Sequence, residues 1–346
     1  MVKPAMSSIK PSSIARVFIA GDWDADGIIA SALLLYAQEK VGKYPIEGTA
    51  IVDLKPMDPE RLRFLLKEVR ANYDAIVFLD IPYIRGLENL LGILKRHFGV
   101  KKIIFIDHHI STLNNEIKLR KIVDELYVSQ EPTSTILYNI LVEHGVKVTN
   151  KLKLFVETVS YMDRGLRVPK KYMKLYELTA LFSKALTVKR DEDIWIQLVK
   201  WLANPMPIPM PLDKRILEEV KKAVAERDKE LKEVATDLAM SARKVGYIKF
   251  IDARKKWRKR GSTSLVSKIG RILKSPVAVL FSTTKGYPIL IIKASRGAAY
   301  RIAKYLMGEG IAQDIAGHPN LAIVRLKNDV DMETLLKSLQ KASFYT

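Results

Sequence analysis

Short β-branched runs alternate with helical stretches over residues 17–20, 27–42, 49–53, 59–71, 75–80, 83–98 and 102–107, a rhythm that continues to about Val128. The runs expected to be strands are almost continuously apolar, which requires burial on both faces. A mostly parallel sheet with helices on each side is the fold class that provides it. In such sheets ligands bind beyond the carboxyl ends of the strands. Acidic and histidine residues stand at three of those ends: Asp22, Asp24 and Asp26 after the first run, Asp80 after the third, and Asp107, His108 and His109 after the fourth.

The next stretch reads as a helical annex. Thr133-Ser134-Thr135 after Pro132 opens a helix through Val142, and 151–163 and 172–186 carry further helical patterns. A fourth motif, Tyr161-Met162-Asp163-Arg164-Gly165, closes the first of these. Prolines at 205, 207, 209 and 211 cannot continue a helix, because each lacks a donor and biases its neighbours to extended geometry. A long charged helix is expected over 213–242, followed by a second alternation at 247–251, 265–273, 277–282, 288–293, 298–306, 321–325 and 332–339. The expected organisation is a catalytic domain over 1–203, a proline-rich linker and connecting helix over 204–243, and a smaller α/β domain over 244–346.

Composition narrows the chemistry. The chain has no cysteine, so disulfides, thiolate zinc sites and cysteine nucleophiles are excluded, and any metal must be held by carboxylates and imidazoles. That donor set favours Mn²⁺ or Mg²⁺. No apolar run reaches the roughly 18 residues that span a bilayer, and the N-terminus, with Lys3, Pro4 and Lys10, lacks a secretory pattern. A cytoplasmic protein without a membrane partner is expected. The formal net charge is +20, and residues 241–346 hold 21 Lys and Arg against 6 Asp and Glu, a local charge of +15. A field of that sign attracts polyanions, nucleic acid first among them.

Asp22-Trp23-Asp24-Ala25-Asp26-Gly27 opens like an EF-hand loop, but position 12 falls on Leu33 instead of Glu and the preceding segment is strand-like. No G-x-G-x-x-G or Walker loop occurs, which removes dinucleotide and P-loop readings. The four motifs, in order, resemble those of the DHH phosphoesterase superfamily, whose name is spelled by Asp107-His108-His109. Ser295-Arg296-Gly297 and Gly317-His318-Pro319 resemble the substrate-binding elements of its companion DHHA1 domain. The resemblance covers nearly the whole chain and is nearest to a minimal RecJ-like core, as in the archaeal and helicase-associated branches.

The resemblance implies an active site in the cleft between two domains, holding two divalent cations, Mn²⁺ or Mg²⁺. It assigns Asp24, Asp80 and Asp22 to one ion and Asp26, Asp80, His108 and Asp163 to the other, with Asp80 bridging. Asp107 would orient an imidazole, and His109 would contact the scissile phosphate or move a proton. One departure concerns Ala20, which stands where many family members have a histidine, so the first ion loses a ligand. Arg296, Gly317 and His318 would grip substrate, although Ala316 replaces the first glycine of the usual pair.

Arg254-Lys255-Lys256-Trp257-Arg258-Lys259-Arg260 places six cations around one indole, suited to neutralising phosphates while the ring of Trp257 stacks on a base beside Arg258. Three functions stay open at this level. The first is a single-strand exonuclease releasing mononucleotides from DNA or RNA, with the helicase-associated branch implying 3′→5′ polarity and a helicase or replication and repair protein as partner. The second is a phosphoesterase of oligoribonucleotides, cyclic dinucleotides or pyrophosphate. The third is a non-catalytic replication or repair scaffold.

Overall fold

The computed structural model describes residues 14–70, 72–164, 166–211, 214–259, 261–283 and 286–345. Lys3, Pro4 and Lys10 of the N-terminal reading, Gly165 of the fourth motif and Arg260 of the basic segment lie outside them. The chain forms two compact units. One runs to Ile81 and includes Arg85–Asp107 and Ile117–Pro211; the other comprises Pro82–Ile84, His108–Glu116 and the chain from Leu212 onward.

The first unit is built on strands β1 (Ala15–Gly21), β2 (Ala50–Pro56), β3 (Ala75–Leu79), β4 (Lys102–Asp107) and β5 (Glu125–Val128), in the order β2-β1-β3-β4-β5. Every pairing is parallel. All five residues of β3 are buried, as the unbroken apolar run requires. Phe78 and Phe105 stack across neighbouring strands with ring centroids 5.6 Å apart. Each such side chain contributes about 1.5–3 kcal/mol of burial.

Helix α1 (Ala25–Tyr36) begins at Asp24, whose side chain caps its first turn. Eleven of its twelve residues are buried, so it is an interior helix and must be enclosed on all sides. Its neighbours are α3 (Thr133–Glu143), α4 (Asn150–Asp163), α5 (Met173–Lys189) and α6 (Glu192–Ala203). Between β3 and β4 lies α2 (Leu87–Phe98), which starts four residues later than the sequence pattern suggests because Gly86 takes a left-handed conformation (φ 87°). The helix expected over 59–71 is instead two single turns, Pro59–Leu62 and Leu65–Glu68, interrupted where Phe64 leaves helical geometry at φ −105°, ψ 9°.

Helix α6 lies outside the sequence expectations and is fixed by charge as well as packing. Glu192 in its first turn meets Lys55 at 2.6 Å and Arg61 at 3.0 Å. Burial works to raise the Glu192 carboxyl pKa, but these two cations more than offset it and hold the group below its ordinary value. The proline-rich stretch after α6 carries neither helix nor strand, and the Trp201 indole N–H donates to the Ile208 carbonyl at 3.0 Å.

The second unit opens with the long helix α7 (Lys214–Met240) and a six-stranded sheet of order β10-β11-β9-β8-β7-β6. Its strands are β6 (Arg243–Val245), β7 (Ile248–Asp252), β8 (Val277–Ser282), β9 (Pro288–Lys293), β10 (Ala312–His318) and β11 (Leu321–Leu326). Only β7 and β8 pair in parallel. Alternation along β8 sorts the two faces. Val277, Val279 and Phe281 pack with Leu231 and Leu238 of α7 and Leu265 and Ile269 of α8 (Ser262–Leu273). Ala278 and Leu280 face the opposite way, toward Ile302 and Leu306 of α9 (Ala298–Gly308) and Leu335 and Leu339 of α10 (Met332–Ala342). Ile110 is buried in this second cluster, and the Tyr83 N–H donates to the Thr112 hydroxyl at 2.9 Å, which explains why these short segments belong with the later unit.

Candidate metal centre

In the first unit, backbone hydrogen bonds hold three strand ends side by side. The Asp22 N–H donates to the Leu79 carbonyl at 3.2 Å, and the Asp80 N–H donates to the Ile106 carbonyl at 3.0 Å. Parallel register thus delivers Asp22, Asp80 and Asp107 to one edge of the sheet. Asp80 pays for its place there with a left-handed backbone, φ 62°, a region that non-glycine residues enter at a cost of about 1–2 kcal/mol. Asp80 and Asp107 are almost fully buried.

The loop from Asp22 to Gly27 folds back tightly onto itself. A Cβ at position 27 would come within 2.6 Å of the Asp22 carbonyl oxygen, so the turn into α1 requires glycine. One oxygen of Asp24, Oδ1, accepts from the Asp26 N–H at 2.9 Å and the Gly27 N–H at 3.0 Å. Carboxylate oxygens of Asp22, Asp24 and Asp80 lie within 4.8 Å of one another, close enough for one cation. Three carboxylates that close repel unless a cation offsets them, and an all-oxygen set suits a hard divalent ion.

Asp26, also buried, is held by the N-terminus of α3. The Thr133 N–H donates to its Oδ2 at 2.6 Å, and the Ser134 N–H donates to its Oδ1 at 3.0 Å, with the Ser134 hydroxyl on the same oxygen. The Thr133 hydroxyl donates to Asp80 at 3.1 Å. The positive end of the α3 dipole therefore offsets part of the charge on Asp26. Behind the loop, the buried Trp195 of α6 donates its indole N–H to the Asp22 carbonyl at 2.9 Å. Trp23 is buried too, with the Arg61 and Arg190 guanidinium carbons 5.8 and 5.4 Å from its ring centroid.

The second unit carries three imidazoles in a group of its own. His108, His109 and His318 form a triad whose ring centroids are 4.9–5.1 Å apart, with ring nitrogens within 4.8 Å of one another. His318 ends β10, and the strand residue before it must be glycine: Gly317 has φ 96°, and a Cβ there would meet the Leu321 carbonyl oxygen at 2.3 Å. His109 leads the short helix Ile110–Asn114, whose last residue accepts from the Tyr300 hydroxyl at 3.1 Å. Arg296, exposed at the start of α9, has a left-handed backbone like Asp80, with φ 54°. His108 directly follows Asp107 in the chain, so the first imidazole is one peptide bond from the last acid of β4.

Other expected residues lie outside these groups. Asp163 is exposed at the end of α4 and belongs to none of the ligand clusters among the described residues. Trp257 corrects the base-stacking expectation: it is 5% exposed and packs in the core beside α7 and α8, so its ring is not offered to a base. Arg258 is exposed, whereas Arg254 is paired with Asp252 and Lys259 with Glu230. Thr133, Ser134 and Trp195 are site residues that the sequence reading does not find. Two hydroxyls at a helix N-terminus are visible in the sequence, but their acid partner lies more than a hundred residues away.

No protein-family model and no curated protein matches the sequence. Solved structures do match. The DHH domain of a member of the s1p family of ribosomal proteins is 16% identical, with a TM-score of 0.59 over 94% of this chain and 86% of that one. RecJ from Thermus thermophilus, in complex with Mn²⁺, is 14% identical with a TM-score of 0.61 over 95% of this chain. The match takes in 51% of that RecJ, so this chain spans about half its length. A pGpG-specific phosphodiesterase from Vibrio cholerae is 11% identical, with a TM-score of 0.52 over 95% of this chain and 99% of that one. The parallel five-stranded sheet followed by a second, mixed sheet is therefore the DHH/DHHA1, RecJ-like fold.

Proposed function

We propose that this chain is a divalent-metal-dependent phosphodiesterase that releases mononucleotides from the end of single-stranded nucleic acid, running 3′→5′ on DNA. The observation that carries the reading is the convergence of Asp22, Asp24 and Asp80 at adjoining strand ends. Their oxygens fit a hard cation, and a chain without cysteine offers no softer alternative. Asp26 would supply a donor to a second ion, to which the family resemblance adds His108 and Asp163, and Mn²⁺ is the first choice for both. When bound, such ions lower the pKa of an attacking water and offset charge on the phosphoryl oxygens.

The chain's own residues then do the rest. Thr133 and Ser134 hold Asp26 and Asp80 in place, Asp107 orients the neighbouring imidazole, and His109 moves a proton at the scissile phosphate. Arg296 and His318 grip a phosphate, with Gly317 setting the direction of the histidine. The local charge of +15 over residues 241–346 supports a polyanion over a small anion. Among the described residues no helix is long and apolar enough to cross a membrane. A helicase that supplies single strands in DNA repair is the partner this reading expects.

The test is Mn²⁺-dependent digestion of end-labelled single strands of several lengths, DNA beside RNA. Mononucleotide release that is absent in Asp80→Ala supports the reading; equal turnover by that variant, or none by the wild type with either Mn²⁺ or Mg²⁺, overturns it. The fold shared with a pGpG-specific phosphodiesterase favours one rival, hydrolysis of dinucleotides. Preference for dinucleotides over longer strands would select it.

A further inference from the structure

A cleft of about 510 Å³ opens in the first unit between helices α3 and α4. From α3 it takes Thr135, Tyr138 and Asn139, the i, i+3, i+4 positions of one face. From α4 and the residue after it come Lys153, Tyr161 and Arg164, again on one face, and Tyr172 closes the wall. The Tyr161 and Tyr172 ring centroids are 5.8 Å apart, and the buried Tyr172 is anchored by its hydroxyl bond to Glu157. Tyr138 and Tyr161 line the cleft and are only half-buried.

Three features of the lining point to the same ligand class. Tyrosines are sequence-tolerant stacking platforms for a planar ring. Lys153 and Arg164 supply positive charge at the rim. Arg164 meets Glu131 at 3.1 Å, but both side chains are 46% exposed, and such a surface pair is weak enough to be exchanged for a phosphate. The Thr135 hydroxyl oxygen is buried without a hydrogen-bond partner, a cost that a shift of this side chain toward a polar ligand edge would relieve. An apolar guest would leave the cations and the hydroxyl unused, and a small anion would not need three tyrosines.

The cleft also adjoins the acid cluster along the chain. Thr135, Tyr138 and Asn139 lie two to six residues beyond Thr133, which donates to Asp26 and Asp80, a distance of about 3–9 Å along the helix axis. Stacked nucleotides repeat at about 3.4 Å, so the span corresponds to one to three nucleotides. Resting on the reading of the acid cluster as a phosphodiesterase centre, we propose that this cleft holds one base of the strand, with its flanking phosphate on Arg164 and Lys153, within three nucleotides of the bond that is cut.

The test is an abasic scan with the full chain and Mn²⁺, using single strands that lack one base at successive positions from the cleaved end. At one position the missing base should raise KM by about 5- to 50-fold while kcat changes less than about twofold. Tyr138→Leu and Tyr161→Leu should raise KM on intact strands and lose sensitivity to that abasic position, whereas Tyr161→Phe should behave as wild type. Equal kinetics at every abasic position in the wild type overturns the proposal, and that arm needs no variant to fold. If no strand is hydrolysed at all, the phosphodiesterase reading fails instead. Calorimetric titration with deoxyadenosine monophosphate in EDTA then decides the cleft: binding lost in Tyr161→Leu supports it, and no binding to wild type overturns it.

Discussion

The Thr133 hydroxyl donates to the Asp80 carboxylate at 3.1 Å, and both residues are buried. Asp80 thereby sits between two demands, since the same carboxylate must face Asp22 and Asp24 from a left-handed backbone. A hydroxyl that fixes an acidic ligand without contacting the ion adds to affinity by limiting the ligand's freedom. Thr133→Val keeps the shape of the side chain and the backbone bond to Asp26 but removes this donor. The expected outcome is a 10- to 100-fold loss of Mn²⁺ affinity, roughly the usual effect of removing an outer partner, with the unfolding midpoint nearly unchanged. Thr133→Ser should restore most of it. Isothermal titration with Mn²⁺ checks the order wild type, serine, valine.

How much of this is legible in the sequence follows from how far each signal reaches. The apolar runs of β3 and β4 declare themselves because strands buried on both faces have no polar alternation to confuse them. The acids at their ends can be placed as soon as the strands are. Strand β10 escapes notice because it is a sheet edge, is irregular between Ala312 and Asp314, and buries only Ala312 and Ile315. Thr133 and Trp195 read locally only as a helix start and an apolar residue, since their partners are contributed by distant parts of the chain. Trp257 misleads for a related reason: Arg254, Lys255, Lys256, Arg258 and Lys259 around it lie exposed, while its ring follows the core of α7 and α8.

Gly317 is a test of whether the histidine triad depends on backbone geometry. Its φ of 96° and the 2.3 Å approach of the Leu321 carbonyl oxygen to a would-be Cβ both exclude a side chain. Gly317→Ala should destabilise the protein by about 1–3 kcal/mol and displace His318 from His108 and His109. Thermal unfolding gives the first quantity. The second would show in the His318 imidazole resonances, and a variant with wild-type stability and spectrum would mean that the end of β10 relaxes freely.

The basic segment predicts a salt effect that does not involve its tryptophan. Arg254 and Lys259 are already paired with acids, so Lys255, Lys256 and Arg258 are the cations to neutralise. Each phosphate contact on a single strand contributes about 0.7 to the slope of log K against log salt, so the triple glutamine variant should flatten the slope by about 2. Fluorescence anisotropy with labelled oligonucleotides at several salt concentrations measures it. An unaltered slope would assign strand binding to other cations.

Helix α6 connects acid sensitivity to the Asp22–Gly27 loop, because the helix that carries Glu192 also carries Trp195 and its bond to the Asp22 carbonyl. Burial alone would raise the Glu192 carboxyl pKa, but Lys55 and Arg61 hold it below the ordinary value of 4.5. For a carboxylate depressed on folding, the unfolded chain binds the proton first as pH falls, so stability drops on acidification. The contribution is complete above about pH 5 and is lost as pH falls through the folded value, below 4.5. Because all three side chains are about a third exposed, solvent screening keeps its size below about 1 kcal/mol. Glu192→Gln should therefore be less stable than wild type by that margin at pH 7, with the difference narrowing as pH falls below 4.5. Urea unfolding at pH 7, 5, 4 and 3 measures the difference, and a gap that does not narrow at all between pH 5 and pH 3 would mean that the glutamate acts through packing of α6 and not through its charge.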